Sequence, residues 1–138
     1  MSFNTLNLFY EIMSVEYHEL HGNPEYTFSY CVKAGDYIYT SHHGAWTYGK
    51  KTGEAGIEKQ TKLTLENLDK TLKAADSSLD DVIQMTVWLK QKEDFRSMRD
   101  IYRGFFIKER YPARMTAFTE FLNEDCLIMI EAIAYNPK

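Results

Sequence analysis

The chain has 138 residues, 44% of them hydrophobic and 26% charged, with a formal net charge of −4. That length suits one domain, and the composition is that of a chain able to bury a core rather than of a disordered one. The acidic balance, with both signs of charge mixed along the chain, argues against a nucleic-acid binder, which would show a basic stripe.

Met1–Glu11 has neither the positive start nor the apolar run of a secretory signal, and no later stretch is long and apolar enough to span a bilayer. The default expectation is therefore a cytoplasmic protein without membrane contact. Residues 1–24 form an N-terminal extension of uncertain structure, in which Ile12–Leu20 could be a strand. His21-Gly22-Asn23-Pro24 breaks it. Thr27–Lys33 and Tyr37–Ser41 are rich in aromatic and β-branched residues and are joined by Ala34-Gly35-Asp36, which reads as a hairpin. Thr47–Gly56, without periodicity, is a surface loop.

Ala55–Ala75 reads as a helix, because Ile57, Thr61, Leu65, Leu68, Leu72 and Ala75 recur on one stripe. Asp76-Ser77-Ser78 ends it, and Ser78 with Asp81 caps a short turn. Val82–Leu89 is a strand by composition. Glu93–Arg110 is a second amphipathic helix with Phe95, Met98, Tyr102, Phe105 and Phe106 inward, stopped by Tyr111-Pro112. Arg114–Phe121 and Leu127–Tyr135 are two further strands around the turn Asn123-Glu124-Asp125. The sum is one α+β domain over residues 1–138, with two helices on one face of a mixed sheet. Leu127–Ala134 is apolar on both faces, so the second face of the sheet needs a partner, and self-association through it is expected.

Cys31 and Cys126 make no CxxC pair and no zinc spacing. Both lie in apolar, strand-like stretches and are expected as buried reduced thiols.

Several strings resemble one family in order and in spacing. They are Gly35-Asp36-Tyr37-Ile38-Tyr39-Thr40-Ser41; Gln60 with Glu66-Asn67-Leu68; Leu79-Asp80-Asp81-Val82 with Thr86-Val87-Trp88-Leu89; and Asp94-Phe95 with Tyr102 and Phe105-Phe106. Pro112-Ala113-Arg114 and Ile130-Glu131-Ala132-Ile133-Ala134 complete the set. On these the chain resembles the Rid (YjgF/YER057c/UK114) family from about residue 26 to residue 135. The resemblance implies a chorismate-mutase-like fold, a homotrimer with the sheets packed inward, and ligand clefts between subunits. It also implies hydrolytic deamination of reactive 2-imino or enamino acids to 2-oxo acids and ammonia. The alternative is a trimer that binds small carboxylate metabolites without turnover. No Gly-rich phosphate loop or nucleophile motif is present, and no cofactor or metal is expected.

Within the resemblance, Arg114 is the residue that would hold the substrate carboxylate by two parallel hydrogen bonds. Phe28, Ser41, Trp88, Thr116 and Met129 would line the cleft. Glu131 and His43 are the candidates for managing water and protons, a role open to either member of His42-His43, which alternate across a strand. The sequence departs from the family pattern at four places. Met129 stands where the deaminases commonly carry the first acid of a Glu-x-Glu pair. Phe28 replaces a tyrosine, Thr116 a frequent cysteine, and His42-His43 a Gly-Gln pair.

Overall fold

The computed structural model describes residues 14–19, 26–46 and 55–137. The expectations for Ile12 and Met13, for His21–Pro24 and for most of Thr47–Gly56 lie outside the described residues. Six strands form one sheet in the order β1-β2-β3-β6-β4-β5. They are β1 (Val15–His18), β2 (Cys31–Ala34), β3 (Tyr37–Thr40), β4 (Val82–Leu89), β5 (Ala113–Phe118) and β6 (Ile128–Tyr135). Two helices accompany them, α1 (Ile57–Ala74) and α2 (Phe95–Arg103).

The β2–β3 hairpin closes through the two residues between Ala34 and Tyr37. Gly35 takes φ 59° there, a conformation that costs other residues energy and glycine almost nothing. β6 runs antiparallel to both β3 and β4. β3 and β4 are therefore parallel, and α1 is the crossover between them. β4 and β5 are also parallel, and α2 is their crossover.

The expected α1 stripe is buried, from Ile57 through Thr61, Leu65, Leu68 and Leu72 to Ala75. β6 alternates strictly: Ile128, Ile130, Ala132 and Ala134 are buried under the helices, while Met129, Glu131 and Ile133 face away. Met85, Val87 and Leu89 complete the core from β4. Cys31 and Cys126 are both buried and both free. The Ser78 side chain accepts a hydrogen bond from the Asp80 amide and caps the short turn Leu79–Asp81, as its spacing predicted. Among the described residues no helix is long and apolar enough to cross a membrane.

The strand expected within Ile12–Leu20 is present as the edge strand β1, paired with β2 from Val15↔Ala34 to His18↔Cys31. Other boundaries differ from the sequence reading, and β5 ends at Phe118 instead of Phe121. The first hairpin strand starts at Cys31 instead of Thr27, because Tyr26, Phe28 and Tyr30 spend their aromatic surface on one another, with ring centroids 6.2 and 6.3 Å apart in succession. The second helix ends at Arg103 instead of Arg110. The chain leaves it at Gly104 and later reaches φ 71° at Glu109, yet Phe105 and Phe106 still pack on the core. β4 also carries a register shift between Val82 and Gln84, which turns Ile83 outward at 47% exposure.

Gln60 is the polar tie of this fold. It is 1% exposed, and its amide donates to the carbonyls of Ala55 and Asp125, both at 2.9 Å. Its side-chain oxygen accepts from the Leu127 amide at 2.9 Å. One side chain thus joins the start of α1 to the turn that feeds β6. Gln60→Ala is expected to lower unfolding free energy by about 2–3 kcal/mol, since several backbone groups lose their partner together. Urea unfolding of the two proteins checks this.

Candidate functional site

The candidate residues fall into three groups, set by which face of the sheet each strand position takes. Met85↔Arg114 and Val87↔Thr116 are neighbours across β4 and β5, so Arg114 and Thr116 lie on the helix side of the edge strand. There the Arg114 guanidinium stands 4.8 Å from the Tyr102 ring centroid and 5.8 Å from that of Phe95, both on α2. These two ring contacts hold the guanidinium in place while its N–H groups remain available for a ligand. Among the described residues no carboxylate lies within ion-pair distance of Arg114.

The space before Arg114 is a cavity of about 330 Å³ lined by Arg99, Tyr102, Arg103, Tyr111, Pro112 and Arg114. Tyr102 is 3% exposed, and burial pushes its phenol up to about 12 against the opposing pull of Arg114. The phenol therefore keeps its proton at neutral pH. Its oxygen has no hydrogen-bond partner among the described residues.

The second group lies on the opposite face. Thr86↔Glu131 and Trp88↔Met129 are adjacent pairs of β4 and β6. His42 joins them, with Nε2 3.4 Å from a Glu131 carboxylate oxygen and its ring 6.4 Å from the Trp88 indole. This pair is half exposed, and the Trp88 indole N–H is buried without an acceptor among the described residues. Tyr17, Val32, Tyr39 and Ile133 continue the same face across the register of β1, β2, β3 and β6.

The third group corrects the expectation for His43. It bridges to Ile130 and shares that residue's buried face, away from Glu131. Nδ1 lies 2.8 Å from the Ser41 carbonyl, which can only accept, so Nδ1 carries the proton. Nε2 then accepts from the Thr71 hydroxyl at 2.7 Å. Both ring nitrogens are used, so His43 has no free lone pair for water. Ser41 is engaged locally as well, its hydroxyl donating to the Tyr30 carbonyl. Phe28 stacks with Tyr30, whose ring in turn meets His43 edge-on. In one chain, this group stands across β3, β6 and β4 from Arg114.

Burial holds His43 below the ordinary histidine value of 6.5. A depressed folded value means that the unfolded chain binds the proton more readily. The stability linked to neutral His43 is present above 6.5 and is lost as pH falls through the folded value. Urea midpoints should therefore drop between about pH 7.5 and about pH 5.5, and the drop should shrink in His43→Gln.

Sequence reasoning missed Arg99, Arg103 and Tyr111 beside Arg114, and it named His43, which the fold buries on the helix side, ahead of His42, which meets Glu131. The i, i+4 spacing of Arg99 and Arg103, flanking the inward Tyr102, was the available signal. Among the described residues, no three His, Cys, Asp or Glu side chains gather as a metal site requires.

Comparison with known proteins agrees with this architecture. The family profile described as endoribonuclease L-PSP matches residues 20–136. A RutC family protein of Pyrococcus horikoshii is 41% identical over 111 residues, covering 78% of this chain and 86% of that one. Escherichia coli TdcF, provisionally named a reactive intermediate deaminase, is 35% identical over 107 residues, covering 75% and 81%. Among solved structures, a YjgF-family protein of Neisseria meningitidis superposes with a TM-score of 0.78 at 21% identity, covering 92% of this chain and 98% of that one. The Rid-family protein YyfA of Yersinia pestis gives a TM-score of 0.78 at 25% identity, covering 88% and 99%. With its mixed sheet, two crossover helices and Pro112-Ala113-Arg114 edge strand, the chain belongs to the Rid (YjgF/YER057c/UK114) family.

Proposed function

We propose that this protein is a hydrolytic deaminase of small 2-imino or enamino acids, working in clefts between the subunits of a homotrimer. The observation that carries the reading is Arg114: an arginine held over two rings, without a carboxylate partner among the described residues, at the mouth of a cavity of metabolite size. Its N–H edge suits the carboxylate of the substrate. The naming of TdcF as a reactive intermediate deaminase supports the same chemistry.

The placement of the groups supports an assembly of this kind. Arg114 and Glu131 stand on opposite faces of one sheet, so a cleft that uses both takes them from two protomers. The open face, with Tyr17 at 70%, Tyr39 at 47% and Met115 at 63% exposure, supplies apolar surface for that packing.

In this mechanism Arg114 fixes the carboxylate and thereby the imine carbon. A water oxygen bonds to that carbon while Glu131, steadied by His42, takes its proton. Glu131 returns that proton to the nitrogen, which gives the amino alcohol; it then moves the hydroxyl proton to the nitrogen as the carbon–nitrogen bond breaks, so that ammonia leaves, the carbonyl forms and the carboxylate is restored. Trp88, Thr116 and Met129 shape the cleft, and Phe28 and Ser41 close its far side. No cofactor is required by these steps, and the working location is the cytoplasm.

The second reading, a trimer that binds carboxylate metabolites without turnover, is favoured by Met129, a thioether at the position of the family's first acid. One experiment separates the two. Freshly generated 2-iminobutanoate is mixed with the protein, and 2-oxobutanoate and ammonia are measured. Release well above buffer supports the deaminase. Buffer-level release with saturable 2-oxobutanoate binding supports the binder.

A further inference from the structure

The cavity before Arg114 holds more positive charge than one carboxylate can use. Arg99 and Arg103 are one turn apart on α2 and enter the same cavity as Arg114. The guanidinium carbons of Arg99 and Arg114 lie 5.9 and 5.8 Å from the same Phe95 ring centroid, so both cations contact one ring. Among the described residues, the one carboxylate within ion-pair distance of any of the three is Asp100, 3.6 Å from Arg99. That leaves two cations without an anion, in a chain whose formal net charge is −4. Two further donors at the cavity lack partners: the Arg99 Nε and the Tyr102 hydroxyl are both buried and unbonded among the described residues.

A monocarboxylate satisfies Arg114 and leaves Arg103, Arg99 Nε and Tyr102 as they are. A ligand with a second anionic group on its side chain balances the excess charge and gives the Arg103 guanidinium an acceptor. We propose that the cavity selects ligands with two anionic groups, a 2-imino or 2-oxo acid bearing a second carboxylate or a phosphate, with Arg114 on the 2-carboxylate and Arg103, beside Arg99, on the second anionic group. This deepens the deaminase reading, since it rests on Arg114 as the carboxylate clamp. In this role Arg99 and Arg103 determine specificity and take no part in bond breaking.

The test is direct binding by calorimetry to the whole protein, with 2-oxobutanoate as monoanion, 2-oxoglutarate as dicarboxylate and 3-phosphoglycerate as phosphate probe. Either ligand with two anionic groups is expected to bind on the order of ten- to a hundred-fold more tightly than 2-oxobutanoate, the worth of one or two charge-assisted hydrogen bonds. The tighter of the two tells carboxylate from phosphate. In the double variant Arg99→Gln/Arg103→Gln the ratio of their affinity to that of 2-oxobutanoate should fall to within about three-fold of unity, with circular dichroism and oligomeric state as controls for folding. Equal affinity of the wild type for all three ligands overturns the proposal, as does a preference that survives the double variant, or no binding of either class. Turnover of 2-iminobutanoate is scored separately. Its loss counts against the deaminase reading and leaves the affinity ratio to decide this one.

Discussion

Arg114→Ala is expected to lower kcat/KM for 2-iminobutanoate by on the order of a hundred- to a thousand-fold, the cost of truncating one partner of a charge pair that substrate binding in the proposed cleft would bury. The guanidinium is held by two aromatic faces, so little of its geometry has to be organised when the substrate arrives. Alanine removes both the charge and the bidentate edge. Arg114→Lys should recover only part of the loss, because an ammonium is a point charge that neither stacks as a plane nor forks. The fold should tolerate both changes. Arg114 is exposed on an edge strand, and exposed cation–π contacts are worth about 0.5–1 kcal/mol. Steady-state kinetics with sedimentation analysis checks the expectation. An alanine variant that keeps wild-type kcat/KM as an intact oligomer would sink the clamp role.

The same residues show how far a sequence of this kind can be read. Burial drives α1 and β6, and burial leaves a period in the sequence. The α1 stripe from Ile57 to Ala75 and the alternation of β6 were therefore legible, and so was the need to cover the outer face carrying Met129 and Ile133. Boundaries set by local competition were not. Tyr26, Phe28 and Tyr30 have strand-like side chains but contact one another ahead of the ladder. Phe105 and Phe106 continue the apolar pattern of α2 after the backbone has left the helix at Gly104.

Alternation showed that His42 and His43 point apart. It could not show which of them lies under α1, since that depends on the bridge from His43 to Ile130 across the sheet. Arg99 and Arg103 left a spacing in the sequence but not its meaning. Charges on an exposed helix usually mean only a solvated surface, and their meaning here comes from an edge strand that arrives later in the chain bearing Arg114.

Glu131 is the position at which the chemistry and the departure from the family pattern meet. Met129 cannot accept a proton, and within the same strand face Glu131 is the acid that remains, paired with His42 at 3.4 Å. Glu131→Gln keeps the shape of the side chain and a hydrogen-bonding contact with His42 but removes the carboxylate. If this group takes the proton from water, kcat should fall on the order of a hundred- to ten-thousand-fold, the usual range for a general base. KM should move far less, because Arg114 still holds the substrate. Since Glu131 lies on the sheet face expected to pack between subunits, oligomeric state is measured alongside. A glutamine variant that retains wild-type kcat removes Glu131 from the reaction. The water would then have to be activated without a carboxylate on that face, with His42 the remaining titratable group there.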